Sequence, residues 1–160
     1  MSHAIVYSSR TGNTALLAQT IRSALPEGEC LYFGTPDAQA LNADTVYVGF
    51  WTDKGSCDEQ VAAFLRSLTR QRVFLFGTAG FGGSPAYFAQ ILARVREHLD
   101  PQVAVVGTYM CQGKMPLAVK ERYEAMPDSP QRTSMLENFQ RALSHPDAQD
   151  LAALRSALSR

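Results

Sequence analysis

Long apolar runs and an excess of charge of one sign are both missing from this sequence. The longest apolar runs, such as residues 73–76, are far shorter than the roughly 20 residues that cross a bilayer. We therefore expect no transmembrane helix. The 15 Lys and Arg residues balance the 15 Asp and Glu residues, so no overall field favours nucleic acid or an anionic membrane as a partner. Any recognition of charge is expected to be local.

Cysteine is also scarce. Cys30, Cys57 and Cys111 are odd in number and lack the spacing of metal ligands, so neither a disulfide framework nor a zinc site is expected. Met1 leads into a strand-like run without a basic segment or a signal-length apolar stretch, which predicts a cytoplasmic location. The three histidines are scattered and no nucleophile motif accompanies them, so hydrolysis by a catalytic triad has no support.

Short β-rich runs alternate with longer segments of helical period, which is typical of strands joined by crossover helices around a parallel sheet. A chain of 160 residues with 46% apolar content suits a single domain, residues 1–160. The predicted strands are residues 4–8, 30–33, 45–51, 72–77 and 103–109. The predicted helices are residues 14–25, 58–69, a segment from 85 to about 99, 115–125, 134–143 and 148–158, with a surface loop at 128–133.

The loops that follow the strands should carry the function, because the carboxyl ends of parallel strands meet at one edge of the sheet. The first of these loops, residues 8–14, places hydroxyl side chains and a glycine directly before a predicted helix. Free N–H groups at a helix start, reinforced by the helix dipole, can bind a phosphate dianion. The alternative is that the same residues only form a turn and a helix cap.

The first loop resembles the phosphate loop of the flavodoxin family, which reads Thr/Ser-x-Thr-Gly-x-Thr after the first strand, as residues 9–14 do. The resemblance extends over residues 3–112 and is to short-chain members; the last third matches less clearly. It implies a doubly wound α/β fold with helices on both faces of a five-stranded parallel sheet, of order 2-1-3-4-5, and FMN as the cofactor. The predicted loop residues are Ser9, Arg10, Thr11, Gly12, Asn13 and Thr14.

Within that loop, the resemblance implies that Ser9, Thr11, Asn13 and Thr14 hold the phosphate together with the backbone amides. Arg10 stands at the variable position of the motif, and we do not count its side chain as a phosphate ligand.

The third-strand loop contains the single tryptophan of the chain, Trp51, where the family usually places an aromatic over the flavin ring. A gapless alignment places the usual tryptophan position of the family on Asp53, two residues after Trp51. The alternative for Trp51 is a buried core residue at the end of a strand. Lys54 and Gly55 are expected to supply the peptide that bonds flavin N5, and Lys54 would stabilise a reduced, negative flavin. Thr52 completes the predicted contact set of this loop.

The fourth-strand loop is rich in glycine, which lets the backbone approach a flat ligand closely. The resemblance assigns Thr78, Ala79, Gly80, Phe81, Gly82 and Gly83 to the flavin, and a flexible turn is the alternative. Pro85 stands where many relatives have a second stacking tyrosine. We therefore expect the outer flavin face to be covered by Phe81 or left open to a substrate.

The fifth-strand loop combines a thiol, an amide and a cation. We expect Gln112 to bond the flavin edge and Lys114 to contact an anionic substrate or partner. Cys111, Gln112 and Lys114, together with Pro85, form the predicted contacts to a partner or substrate. Cys111 has two interpretations. It is either a redox partner of Cys57 or a buried thiol, which is the commoner role of a free cysteine.

The function implied is that of an FMN-binding electron-transfer protein between a reductase and a dedicated partner enzyme. A carrier is favoured over an autonomous enzyme, although the acidic surface usual in such carriers is missing from this neutral chain. The alternatives are an FMN-dependent NAD(P)H:quinone-type reductase and a flavin-free regulatory or binding module. We expect a redox protein partner, no nucleic acid, no membrane, and a monomer or weak homodimer.

Overall fold

The computed structural model describes residues 1–82 and 84–159, and within them five parallel strands form one sheet of order β2-β1-β3-β4-β5. The predicted sheet order is confirmed. The strands are β1 (His3–Tyr7), β2 (Cys30–Gly34), β3 (Thr45–Trp51), β4 (Arg72–Ala79) and β5 (Val105–Gln112).

Six α-helices accompany the sheet in the described part of the chain. They are α1 (Asn13–Ala24), α2 (Glu59–Ser67), α3 (Pro85–Arg96), α4 (Leu117–Glu124), α5 (Pro130–Ala142) and α6 (Ala148–Leu158). Two short 3₁₀ turns, Glu27–Glu29 and Ala38–Asn42, lie on either side of β2. None of these helices is long and apolar enough to cross a bilayer.

Alternate residues of the strands contribute to two hydrophobic cores, one on each face of the sheet. Val48 and Leu75 pack with residues of α2 and α3 in the first core. Ile5 and Phe76 pack with Leu17 of α1 and with α6 in the second. Because side chains on a strand point alternately to opposite faces, strands that are apolar throughout can supply both layers. Helices therefore cover both faces, as predicted.

The structure corrects two predicted boundaries. Strand β5 was expected to end at residue 109 but continues to Gln112, because Met110 and Cys111 are buried and pair with β4. The predicted loop at 128–133 is instead the start of α5. Ser129 caps that helix by accepting from the N–H of Arg132, and Pro130 occupies its first turn, a position that proline tolerates well.

Two of the helices, α4 and α5, lie in a segment inserted between β5 and α6. The N–H of Lys114 donates to the carbonyl of His145 at 3.1 Å, which closes the base of the segment. We call residues 114–145 the α4–α5 segment. Helix α6 then returns to the sheet and packs against the second core through Leu154. The segment therefore stands at the carboxyl edge of the sheet, beside the loops that the sequence singles out.

Candidate functional site

The loops after β1, β3, β4 and β5 meet at the carboxyl edge of the sheet and enclose, with α4, a cleft of about 370 Å³. Its size lies within the range of small-molecule and cofactor sites. Twelve of the predicted site residues line it: Arg10, Thr11, Asn13, Trp51, Thr52, Lys54, Gly55, Thr78, Ala79, Gly80, Phe81 and Lys114.

The first loop presents backbone donors to this cleft. Gly12 adopts the left-handed conformation, with φ of +89°, and precedes the first turn of α1. The Ser9 hydroxyl accepts from the N–H groups of Gly12 and Ala15, at 3.2 and 3.3 Å. Within residues 1–82 and 84–159, the N–H groups of Arg10, Thr11 and Asn13 have no acceptor. Unpartnered donors at the start of a helix are suited to an anion.

Not every polar side chain of the first loop faces the cleft. Thr14 is fully buried; its hydroxyl donates to the Phe50 carbonyl at 3.2 Å and lies 3.1 Å from the Thr78 hydroxyl. Here the hydroxyl joins β3 to β4, and its role as a side-chain phosphate ligand stays a prediction. Ser9 and Gly12 also lie outside the cleft lining, where they shape the turn.

Asn13 and Thr11 connect the first loop to the α4–α5 segment. The Asn13 amide donates to the Lys114 carbonyl at 2.8 Å, and the Thr11 hydroxyl donates to the same oxygen at 3.3 Å. Asn13 is only 7% exposed, so its bond is shielded from water. The main chain at Lys114 is therefore held against the phosphate loop, and the Lys114 side chain is exposed at the cleft.

Trp51 ends β3 and forms one wall of the cleft. The guanidinium carbon of Arg10 lies 5.5 Å from the centroid of the Trp51 ring, a cation–π arrangement. The next residue, Thr52, donates from both its N–H and its hydroxyl to the Thr78 carbonyl, at 2.9 and 2.8 Å. These bonds fix the third-strand loop to β4. The stacking of Trp51 on a flavin stays a prediction.

Residues 53–56 form a tight two-residue turn. Asp53 and Ser56 exchange backbone hydrogen bonds at 2.7 and 3.1 Å. Between them, Lys54 and Gly55 have positive φ values of 52° and 84°, as a type I′ turn requires. Lys54 and Gly55 line the cleft, whereas Asp53 does not. The Gly55 carbonyl accepts from the Arg94 guanidinium at 3.4 Å, so α3 supports the turn from outside.

The fourth-strand loop is held from below by two amide side chains. Gln112 and Asn138 both donate to the Gly80 carbonyl, at 2.9 and 3.1 Å, and Gln112 also donates to the Asn138 side-chain oxygen at 3.1 Å. The Gln112 amide is engaged beneath the loop and does not line the cleft, so its contact with the flavin edge stays a prediction. Gly82 also lies outside the lining, and Gly83 lies outside the described residues.

Two further residues predicted as partner or substrate contacts lie outside the cleft lining. Cys111 is 4% exposed in the second core, and burial raises the pKa of its thiol to about 12. Cys57 packs against the first core, on the opposite face of the sheet, and burial raises its pKa as well. The two thiols are separated by the sheet, which excludes the redox pair. Pro85 is exposed at the first turn of α3 and does not line the cleft.

Six lining residues were missed by the sequence analysis. Tyr87 lies two residues after Pro85, and Ser84, which caps α3, accepts from its N–H at 3.3 Å. A tyrosine on the first turn of a helix after the glycine-rich loop was the available signal. The others come from the α4–α5 segment, for which the sequence offered no motif: Met115, Pro116, Val119, Arg122 and Tyr123.

A model of the flavodoxin domain matches residues 4–159. The chain belongs to the flavodoxin family. The flavodoxin-like domain-containing protein BilS of Clostridium symbiosum (strain WAL-14163) is 40% identical over 99% of this chain and 94% of its own length. This match, unlike the original resemblance, extends across the α4–α5 segment.

Two solved structures share the fold at lower identity. The apo form of the NADH:FMN oxidoreductase EMOB superposes with a TM-score of 0.54 and 21% identity, covering 93% of this chain and 98% of that one. A flavoprotein from Lactobacillus acidophilus NCFM, solved in complex with FMN, has a TM-score of 0.52 and 17% identity over 69% of this chain and 93% of its own. Both likenesses concern the fold.

Proposed function

We propose that this flavodoxin-family protein binds FMN in the cleft and passes electrons between a reductase and a partner enzyme. The observation that carries the proposal is the set of free N–H groups on Arg10, Thr11 and Asn13, which line a cleft of about 370 Å³ at the start of α1. An unsatisfied donor array of this kind fits a phosphate monoester. Bound there, FMN would supply one- and two-electron redox chemistry that no side chain of the chain offers.

Different residues around the cleft contact different parts of FMN. The backbone N–H groups of Arg10, Thr11 and Asn13 hold the phosphate, and the exposed Thr11 hydroxyl exchanges its 3.3 Å bond to the Lys114 carbonyl for one to the phosphate. Trp51 and Tyr87 provide aromatic walls for a flat ring and exclude water from it. Polar contacts to the flavin ring come from the backbone of residues 78–81 and from the Lys54–Gly55 turn. Gly82 and Gly83 belong to the same proposed flavin loop as residues 78–81.

Flavin binding is tested by titrating the apoprotein with FMN and with riboflavin, following flavin fluorescence. Riboflavin lacks only the phosphate, so it should bind at least about 100-fold more weakly, since charge-assisted hydrogen bonds each contribute about 1.5–3 kcal/mol. Thr11→Ala should raise the Kd for FMN about tenfold and leave that for riboflavin unchanged. Ser23→Ala removes a hydroxyl on α1 that bonds only within its helix and serves as the matched control. Equal weakening of both flavins by Thr11→Ala would refute the phosphate assignment.

A second candidate is a reductase that acts directly on a flat, quinone-like substrate. The observation in its favour is that Phe81, on the outer wall of the cleft, is 41% exposed and leaves room for a substrate to approach. The two candidates differ in their need for a second protein. The FMN-loaded protein is assayed with NADH or NADPH and a quinone, with and without an added flavoprotein reductase. A carrier turns over only with the reductase, and appreciable turnover without it supports the second candidate.

A further inference from the structure

The cleft carries an unbalanced charge in a chain that is neutral overall. Among the described residues that line it, four are cations, namely Arg10, Lys54, Lys114 and Arg122, and none carries a carboxylate. All four are exposed, and none forms an ion pair with another of the described residues. Carboxylates occur nearby in sequence, on the 53–56 turn and on α4, but they lie outside the lining. The mouth of the cleft is therefore a local positive field of the kind that steers anions.

FMN accounts for only part of this charge. Its phosphate carries close to two negative charges at neutral pH, and two of the four cations come from the segments that form the phosphate end, Arg10 in the first loop and Lys114 against it. Lys54 lies in the turn after β3, and Arg122 on α4. These two cations remain available to a group that arrives after the cofactor.

An exposed aromatic side chain accompanies these cations. Phe81 lines the cleft together with Lys54 and Arg122 and is 41% exposed. Apolar side chains within a charged rim are typical of protein interfaces.

We propose that the mouth of the cleft, formed by Lys54, Phe81 and Arg122, docks a carboxylate-rich surface of a protein redox partner. The proposal rests on the function proposed above and names the chemistry of the partner. Complementary charge would raise the association rate and orient the partner over the cofactor, and both effects weaken as salt screens the charges. An acidic partner also explains how a flavodoxin-family chain without an acidic surface recognises another protein.

The test uses two forms of one electron acceptor that differ in charge. Native cytochrome c is basic, and its succinylated form is acidic because its lysines carry carboxylates. The FMN-loaded protein is reduced and mixed with each form in a stopped-flow spectrometer, where each ferric haem takes one electron from the reduced cofactor. We expect the succinylated form to be reduced at least tenfold faster at low ionic strength, and the ratio of the two rates to approach one at high salt.

Charge reversal identifies the surface. Lys54→Glu and Arg122→Glu should each lower the ratio of the two rates, and the double variant should invert it. Arg155→Glu makes the same charge change on α6, outside the cleft, and should leave the ratio unchanged. Because each ratio compares two acceptors reduced by one protein, a change in flavin potential largely cancels. Amide shifts near Phe81 and Arg122 in the NMR spectrum on adding succinylated cytochrome c give a readout independent of electron transfer.

Three results would overturn the proposal. The first is equal or faster reduction of native cytochrome c by the wild-type protein, and the second is a ratio that Arg155→Glu alters as much as Arg122→Glu. The third is faster reduction of the small anion ferricyanide with no preference for succinylated over native cytochrome c. That result would identify a site for small anions instead of a protein-docking surface. Failure to retain FMN at all would refute the proposed function before any of these rates is measured, so the two failures are distinguishable.

Discussion

The two ends of the cleft are built in different ways. The phosphate end is one continuous stretch, residues 9–15, in which a hydroxyl, a left-handed glycine and the start of α1 satisfy one another locally. The other end draws on the turn after β3, the loop after β4, the first turn of α3 and the α4–α5 segment. A local motif keeps its geometry wherever the strand and helix place it, whereas the opposite end depends on how distant segments pack.

The two ends meet at the carbonyl of Lys114. The Asn13 amide of the phosphate end donates to this oxygen at 2.8 Å, and the following residue, Met115, packs against Gly80. A change at this junction should therefore affect both ends, while a change further along either end should stay local.

The boundary between β5 and the α4–α5 segment is tested by the reactivity of Cys111. A pKa near 12 lowers the thiolate fraction at pH 8 by about a thousandfold relative to an ordinary thiol. Cys111 in the native protein should therefore be alkylated by iodoacetamide at least about a thousandfold more slowly than in the denatured chain. Because burial raises this pKa, the rate should climb steadily with pH. Peptide mass spectrometry resolves each site.

Cys30 is partly exposed and serves as the internal control for this labelling. If Cys111 reacts as fast as Cys30 in the folded protein, β5 does not remain in the core up to Gln112. The boundary between β5 and the α4–α5 segment, which separates the two ends of the cleft, would then lie elsewhere in the chain.

The junction itself is tested at Gly113. A Cβ there would lie 2.7 Å from Cγ of Asn13, so Gly113→Ala should displace the amide that holds Lys114. We expect a loss of about 2–3 kcal/mol in the free energy of unfolding, from overpacking and a broken buried hydrogen bond. Gly80→Ala is the matched control, because its Cβ would meet the flexible Met115 side chain at 2.6 Å and should cost under about 1 kcal/mol.

Urea unfolding of both alanine variants measures this difference. Equal losses would mean that Asn13 moves as freely as Met115, and the junction would then not couple the two ends. Flavin titration adds a second readout, since Gly113→Ala should weaken FMN as well as riboflavin if both ends are disturbed.

The phosphate end is tested at Gly12. A Cβ at this position meets nothing within 4 Å, so the only penalty for a side chain is the left-handed backbone, with φ of +89°. Gly12→Ala should cost about 1–2 kcal/mol, and Gly12→Asn less, because asparagine tolerates this conformation. Thermal unfolding should rank the variants wild type, Asn, Ala. Equal losses for Asn and Ala would indicate a steric cause that the open surroundings of Gly12 do not provide.

The contrast between the two ends also explains what sequence reasoning could reach. Alternating apolar strands and helices predicted a parallel sheet, and the hydroxyls around Gly12 predicted the first loop, since both signals lie in short stretches. The order of the strands was implied by the resemblance to the flavodoxin family. Thr14 shows the limit even there. Its hydroxyl looks like a phosphate ligand in sequence, yet it bonds Phe50, 36 residues away.

The other end could be predicted only in part. Gln112 and Asn138, which support the glycine-rich loop, are 26 residues apart in the sequence. No local sequence pattern predicts that they pair. Cys111 was expected in a loop because the predicted strand ended at Tyr109, whereas pairing with Thr78 continues the strand. Arg122 was missed because an exposed arginine on a helix is ordinary until the fold places it at the mouth of a cleft.

The smallest expected effect concerns the cation–π contact between Arg10 and Trp51. Both residues line the cleft, and an exposed contact of this kind contributes about 0.5–1 kcal/mol. Arg10→Ala should therefore lower the free energy of unfolding by less than about 1 kcal/mol. It should also change the emission of Trp51, which is the single tryptophan of the chain and so reports on this wall alone.

Arg22→Ala provides the matched control, because its guanidinium carbon lies 4.5 Å from the centroid of the Phe33 ring and not at the cleft. It should lose a similar amount of stability without altering the tryptophan emission. If Arg10→Ala leaves that emission unchanged, Arg10 does not rest on Trp51 in solution. The phosphate loop and the wall formed by Trp51 would then touch only through bound FMN, and the two ends of the cleft would be more independent than the structure indicates.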